Sequence, residues 1–478
     1  MKKIKSMFEK HDLIKIVLLA ILVTIVLTWI IPSGSMSGGS FIDAGLSRQG
    51  LVDIVLSGVY SANFFIQQIM FILFVGIFYG VITHISGYKA LVSKIATKLK
   101  GKEKVFVIVS SLVITLLTSF LTQTYAILIF IPFIINIASK MNIDKMTAFL
   151  CTFGSMLVGI LGATYGSEGF VYFINYLNYY QTITVTEEIA IRFGILALAF
   201  ILFNFFTIRH MKKSLASKSN EEKVEDLFVV EEDKNKKTKV WPMALFLILI
   251  AVFAILGYVN WEANFKIEVF SKFHTWLYEL SVGDYTILAY ILGNNGTALG
   301  EWDLYTITVV MAICLLLTII IYRVKFDEVL DNAIEGLKKV IKPLLVLLLI
   351  YIVFVFVYWS PFTIAICNWI TSFADGFNPF LASISAAVSG IFHIDFGFAG
   401  YALGDIFVST YGASFNLGML VYVTIHGLVG FVAPTSAILL LGLSYLEIPY
   451  KKWVKYIWKF ALIMLALLLV IFAFLTYI

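Results

Sequence analysis

Long runs of apolar residues recur along this chain, as in the stretch from Val17 to Ile31. A helix needs about 20 apolar residues to cross about 30 Å of hydrocarbon. Nine runs can serve, near residues 15–31, 63–86, 147–164, 189–208, 241–259, 303–322, 343–359, 416–446 and 457–478. Lipid offers the backbone no hydrogen-bond partners, so such runs form helices or closed barrels. We predict an all-α polytopic membrane protein.

The composition agrees with this prediction. Hydrophobic residues make up 60% of the 478 residues and charged residues only 14%. Soluble domains are about a quarter charged. We expect the first run to be retained as a span, because Pro32, Ser33, Gly34 and Ser35 after it form no clear cleavage site.

The basic residues indicate how the chain lies in the membrane. All but four of the 35 Lys and Arg residues fall in residues 2–15, 89–104, 140–145, 209–239, 323–342 and 451–459. Cytoplasmic loops carry the excess of Lys and Arg, and a cytoplasmic N-terminus places all six segments inside. We therefore predict a multi-pass protein of the cytoplasmic (inner or plasma) membrane with its N-terminus in the cytoplasm.

Two further apolar stretches, residues 105–137 and 378–412, fit re-entrant hairpins better than spans. The first would be about 50 Å long as a straight helix, yet both of its flanks are basic and belong inside. A polar turn at residues 118–124 allows it to enter and return. No Lys or Arg lies between Lys342 and Lys451, so the second stretch enters from outside, with a turn at residues 390–397.

The order of these parts repeats with opposite topology. Each half has a span, an amphipathic stretch, a span, a short arm, a hairpin, a broken span and a final span. We assign residues 1–208 to the first membrane repeat and 209–240 to a flexible cytoplasmic linker. Residues 241–302 form a connecting span with an external segment, and 303–478 form the second, inverted repeat.

Small residues interrupt one predicted span in each half. The breaks lie at residues 159–167 and 430–436, and each contains a Thr, Thr164 and Thr435. Inverted repeats with discontinuous helices are typical of secondary transporters, which bind substrate and ions where the helices break. Irregular backbone at that depth must be buried in protein or line a water-filled cavity. The breaks therefore predict the position of a binding site.

The second break carries a family resemblance. Residues 432–443, read from Val432, Ala433, Pro434, Thr435 and Ser436 onward, together with residues 448–453, resemble the anaerobic four-carbon-dicarboxylate carrier and YfcC-type family. Weaker similarity extends over residues 28–34, 76–103 and 326–336. This family belongs to the wider ion-transporter superfamily and includes arginine/ornithine exchangers. The resemblance implies two hairpins facing two broken helices around one substrate, with sodium or proton coupling.

Hydroxyl and amide side chains at the turns and breaks are candidate ligands for the substrate or a coupling ion, because they suit sodium and carboxylates. Ordinary packing between helices is the alternative for Ser and Thr, and Pro434 serves by breaking the helix. The candidates are Thr118, Ser119, Thr122, Gln123, Thr124, Gly162, Thr164, Ser167, Pro434, Thr435 and Ser436.

Ionisable residues within a membrane are costly and usually functional. His393 and Asp395 form a candidate proton-coupling or ion-binding pair at the second turn, with a structural hydrogen bond as the alternative. Glu168 follows the first break and faces either substrate or external water. Asp405 either takes part in binding or lies in solvent where the hairpin ends. His426, one turn before the second break, is either functional or a buried packing residue.

The substrate class stays open at this stage. An anion finds no Lys or Arg at either turn, and a cation such as arginine has only Asp395 or Glu168. We expect a secondary active transporter for a small organic anion or amino acid, ion-coupled or exchanging. The alternatives are an ion channel and an intramembrane enzyme using His393 and Asp395.

The expected partners follow from this function. They are the small-molecule substrate and the lipid bilayer, without nucleic acid, and a homodimer is left open. We predict no cofactor apart from Na⁺ or H⁺ as coupling ion. We also predict no metal site, since Cys151, Cys314 and Cys367 are far apart in apolar stretches, and no catalytic residues.

Overall fold

The computed structural model describes residues 12–217, 224, 238–293 and 295–477. These residues are largely helical. The first half contains two strands, β1 (Ser33–Ser37) and β2 (Ser40–Gly45), which pair antiparallel. Its helices are α1 (Asp12–Ile30), α2 (Leu51–Phe64), α3 (Ile66–Ile82), α4 (Ser86–Leu99), α5 (Glu103–Phe120), α6 (Thr124–Lys140), α7 (Lys145–Leu161), α8 (Glu168–Leu177) and α9 (Ile189–Ser217).

The second half continues in the same manner after a connecting region. That region consists of α10 (Trp241–Tyr258), α11 (Trp261–Phe265), α12 (Val269–Glu279), β3 (Ser281–Val282), β4 (Tyr285–Thr286) and α13 (Ile287–Leu292). The remaining helices are α14 (Leu304–Tyr322), α15 (Phe326–Trp359), α16 (Phe362–Thr371), α17 (Pro379–Phe392), α18 (Phe396–Ile406), α19 (Phe415–Val429), α20 (Ala437–Tyr445) and α21 (Tyr450–Tyr477).

The chain is an all-α polytopic membrane protein. Among the described residues, eight helical segments are long and apolar enough to cross a membrane, or nine if the bent pair α2 and α3 counts as one span. One of the eight is the stretch Phe396–Val429, which contains both α18 and α19. The bend between these two helices is 71°. Helix α5, which the sequence places in the first hairpin, is one of the eight by length and composition, whereas the predicted span at residues 147–164 corresponds to the shorter helix α7.

Helix α15 corrects one boundary of the sequence analysis. The predicted amphipathic stretch at residues 326–342 and the span at 343–359 form one continuous helix of 34 residues, with Pro343 inside it. This helix packs closely along α3. Gly76, Gly80 and Gly336 lie in their interface, where a side chain on any of them would overlap the neighbouring helix.

The predicted linker at residues 209–240 is shorter than expected at its start, because α9 remains helical as far as Ser217. Residues 218–223 and 225–237 of this linker lie outside the described residues. Val224 is buried, and its amide donates to the carbonyl oxygen of Ile143 at 3.4 Å.

The helices end at the four interruptions that the sequence predicts. Helix α5 ends at Phe120 and α17 ends at Phe392, while α7 ends at Leu161 and α19 at Val429. The inverted topology, the re-entry of the two hairpins and the division into repeats stay predictions. The breaks nevertheless bring several helix ends together in the interior.

Helices α8 and α18 bring the two halves into contact beside these breaks. The rings of Phe173 and Phe396 stack with their centroids 4.3 Å apart. Gly397 and Gly400 face Tyr172 and Phe173, so the absence of side chains there permits the close approach. Helix α8 starts with Glu168, and Asp395 is the N-cap of α18, so two carboxyl groups lie at one end of the pair.

Candidate functional site

A cavity of about 150 Å³ lies where the helix interruptions meet. Both halves of the chain contribute to it. Its polar lining side chains are Gln68, Thr124, Tyr125, Ser167, Glu168, Tyr172, Tyr351, Asp395, His426, Thr435 and Ser436. Drug-sized ligands occupy pockets of about 300–1,000 Å³, so this cavity suits a smaller molecule or ion.

Two half-buried carboxyl groups, Glu168 and Asp395, face the cavity. Glu168 begins α8, its carboxylate accepts from Gln68 Nε2 at 3.4 Å, and its backbone amide donates to Thr124 Oγ1 at 3.4 Å. Asp395 is the N-cap of α18 and accepts from the amide of Gly397 at 3.0 Å. The positive end of a helix stabilises a nearby carboxylate, so the two helix starts offset part of the cost of a charge at each position.

Two tyrosines form the wall that links the halves. The hydroxyl groups of Tyr125 and Tyr351 are 2.6 Å apart, and the Tyr351 ring stacks on Phe65 with a centroid distance of 3.4 Å. Both hydroxyl groups are buried in the lining. They offer a donor and an acceptor to a polar ligand.

The second break supplies the hydroxyl groups that the sequence predicts. Thr435 Oγ1 donates to the carbonyl oxygen of Ile391, which ties the break to the preceding turn. Ser436 is the N-cap of α20, and both residues line the cavity. His426 lines it too, with its ring 4.3 Å from that of Phe396 and its Nδ1 buried without a hydrogen-bond partner among the described residues.

The first break has a corresponding link that faces away from the cavity lining. Ser119 Oγ donates to the carbonyl oxygen of Gly162 at 2.8 Å, and Thr164 Oγ1 donates to the carbonyl oxygen of Ser119 at 2.9 Å. Both side chains are buried. Ser167, with a positive φ of 68°, turns the chain back toward the cavity.

The structure corrects the proposed pairing of His393 with Asp395. His393 Nε2 lies 2.8 Å from Thr363 Oγ1, and its Nδ1 lies 2.9 Å from Ser389 Oγ. These two contacts orient the buried ring toward α16 and α17, whereas Asp395 points into the cavity. A turn of only two residues is enough to direct the two side chains to different sides.

Six other candidates, Gly162 among them, lie outside the cavity lining. Thr118 donates to the carbonyl oxygen of Ile114 within α5, and Thr122 donates to that of Tyr258. Asp405 accepts from the amide of Gly39 at an exposed position. Gln123 lies in the first turn and Pro434 lies in the second break, and neither residue lines the cavity.

Sequence analysis did not identify four of the polar lining residues, which are Gln68, Tyr125, Tyr172 and Tyr351. An amide inside an apolar run was a usable signal for Gln68, which follows Gln67 in the second predicted span. The tyrosines gave no such signal, because aromatic residues are common throughout this chain. Within the described residues, no three His, Cys, Asp or Glu side chains converge to hold a metal ion.

The comparison with known families decides the class of this protein. A family profile described as "C4-dicarboxylate anaerobic carrier" matches residues 11–478. The chain belongs to this carrier family. It is therefore a membrane transporter and not an enzyme, as the resemblance at the second break indicated. No curated protein matches it significantly.

Two solved transporter structures are similar to this carrier over nearly its whole length. The YdaH transporter of Alcanivorax borkumensis has 14% sequence identity and a TM-score of 0.40, with 97% of each chain covered. MtrF of Neisseria gonorrhoeae, described within a class of antimetabolite efflux pumps, has 15% identity and a TM-score of 0.36, with 97% of this carrier and 94% of MtrF covered. Because both TM-scores are below 0.5, the assignment depends on the family match.

Proposed function

We propose that this carrier is a secondary active transporter for a small amino acid substrate that binds in the cavity between the two halves. One observation carries the proposal: two carboxyl groups, Glu168 and Asp395, face the cavity, and no described lining residue is Lys or Arg. A carboxylate in low dielectric is costly without a partner of opposite charge. The ammonium group of a substrate supplies that partner.

The N-terminal turn of α20 suits the carboxylate end of the same substrate. Thr435, Ser436, Ala437 and Ile438 all line the cavity around the start of this helix. Helix N-termini carry free amide donors and a partial positive charge, and broken helices of transporters use them for substrate carboxylates. A zwitterion thus finds both of its charges matched across the cavity.

Uptake by proteoliposomes tests this proposal. We expect labelled amino acids, including cationic ones, to enter vesicles that contain the protein and not protein-free vesicles. A tenfold excess of unlabelled succinate or fumarate should leave this uptake unchanged. Uptake of dicarboxylates that amino acids do not inhibit, with no amino acid transported, would contradict the proposal.

A four-carbon dicarboxylate is the second candidate, favoured by the description of the family. A dianion beside Glu168 and Asp395 requires bound cations, so this candidate implies sodium or protons bound at the two carboxyl groups. Dicarboxylate uptake should then stop when both sodium and a proton gradient are removed. For either substrate, sodium or a proton is the proposed coupling ion, and exchange of two substrates is the alternative.

We also propose that the N-terminus is cytoplasmic, as the distribution of basic residues predicts. Two exposed positions give a matched test, Lys102 between α4 and α5 and Ser372 after α16. In a variant without Cys151, Cys314 and Cys367, a membrane-impermeant thiol reagent should label Ser372→Cys in intact cells. It should label Lys102→Cys only after the inner face is opened. Labelling in the reverse order would show that the orientation is inverted.

A further inference from the structure

Arg192 is a buried cation that the sequence analysis left without a role. It is the fourth residue of α9 and has no exposed surface. Its Nη1 donates to the carbonyl oxygens of Ala163 at 2.9 Å and Thr164 at 2.6 Å. Its remaining donors reach the carbonyl oxygens of Glu187 and Val185. All of its hydrogen-bond acceptors are therefore backbone carbonyls.

The charge of Arg192 is not neutralised by a contacting carboxylate. Among the ion pairs of the described residues, none within 4.0 Å involves Arg192. The guanidinium carbon instead lies 4.5 Å from the centroid of the Phe170 ring. Arginine stays protonated in proteins, so carbonyl dipoles and an aromatic face contact a permanent positive charge, while the carboxylates of Glu187 and Glu188 act on it from a greater distance.

The position of this charge is the first helix break. Ala163 and Thr164 follow directly after the C-cap of α7, Gly162, at the negative end of that helix. In transporters with broken helices, unwound carbonyls and C-terminal ends of half-helices coordinate the coupling cation. The guanidinium occupies such a position here with two of its hydrogen bonds.

At the second break, neutral side chains donate to the backbone carbonyl oxygens that follow the helix end. Trp453 is the fourth residue of α21, and its Nε1 donates at 2.7 Å to the carbonyl oxygen of Phe431, the residue after the C-cap Gly430 of α19. Tyr450 donates to the carbonyl oxygen of Val432. At both breaks, side chains near the start of a later helix thus donate to the first two carbonyl oxygens after the C-cap, but only at the first break does this donor carry a fixed charge.

We infer that Arg192 is a tethered cation that replaces a coupling ion at the first break. The first break then takes up no metal ion during transport, and any coupling ion binds elsewhere in the protein. This inference rests on the transporter assignment but is independent of the substrate proposed above. Arg192 positions the broken backbone and does not contact the substrate.

Variants of Arg192 with and without charge test the inference. Arg192→Lys keeps a cation of similar reach, whereas Arg192→Met has similar length and none. We expect Arg192→Met to lower transport at least tenfold and Arg192→Lys to lower it less. The melting temperature should likewise fall more in Arg192→Met than in Arg192→Lys. If both variants insert poorly, their inserted amounts provide the comparison. An Arg192→Met protein that equals or exceeds Arg192→Lys in these measurements overturns the inference.

Chemical rescue separates a cation site from simple packing. Arg192→Ala leaves space where the guanidinium lay, so millimolar guanidinium should raise both its melting temperature and its transport. Sodium should stabilise this variant more than it stabilises the wild type. Trp453→Phe is the matched control, because it removes one neutral donor and should not respond to guanidinium. Equal responses of both variants, or none in Arg192→Ala, would reject a cation site. Measuring the melting temperatures requires no substrate, so this result does not depend on the outcome of the uptake experiments with amino acids and dicarboxylates.

Discussion

Replacing Asp395 by Asn should reduce transport by roughly an order of magnitude or more, equivalent to about 1.4 kcal/mol of transition-state stabilisation. The amide keeps the size of the side chain and an oxygen that can accept from Gly397. It removes the charge that faces the cavity. Glu168→Gln should have a similar effect for the same reason. Initial uptake rates, normalised to inserted protein, measure the loss.

Asp405→Asn provides the matched control for this experiment. Asp405 lies on α18, the helix that Asp395 caps. It accepts a hydrogen bond from the amide of Gly39 at an exposed position away from the cavity. Its neutralisation should leave uptake within about twofold of the wild type, since surface changes usually cost less than about 0.5 kcal/mol. Equal losses in Asp405→Asn and Asp395→Asn would mean that cavity charge is not the cause.

The second large effect concerns the contact between α3 and α15. In Gly336→Ala, the new Cβ atom would overlap the carbonyl oxygen of Gly76 and lie 2.7 Å from the Cα of Gly80. The helices must then separate, and overpacking of this kind typically costs about 1–3 kcal/mol. We expect a lower melting temperature and a smaller amount of inserted protein, because the backbone rather than a flexible side chain is in the way.

Replacing a second glycine by alanine should raise the stability of the protein instead of lowering it. A Cβ atom at Gly194, within α9, meets no heavy atom within 4 Å. Gly194→Ala should therefore stabilise the protein by up to about 1 kcal/mol, through the better helix propensity of alanine. Thermal unfolding in detergent compares the two variants directly. The packing argument is wrong if Gly336→Ala melts at or above the temperature of Gly194→Ala.

Helix positions and breaks could be predicted from the sequence because they are local properties. Apolar runs of about 20 residues specify spans, and clusters of small residues with a proline or threonine interrupt them. For this reason Thr435 and Ser436 were found, and so were Glu168 and Asp395 as rare acidic residues in apolar surroundings. The same local signals identified the carrier family at the second break.

The composition of the cavity was decided by packing between distant segments. Gln68 and Tyr351 reach the cavity from α3 and α15, far in sequence from the breaks they face. His393 turns away from Asp395 because Thr363 and Ser389 supply its partners. Arg192 meets the first break only because α9 returns beside it. Local sequence determines where a helix can start or end, whereas contacts between remote residues depend on how all the helices pack.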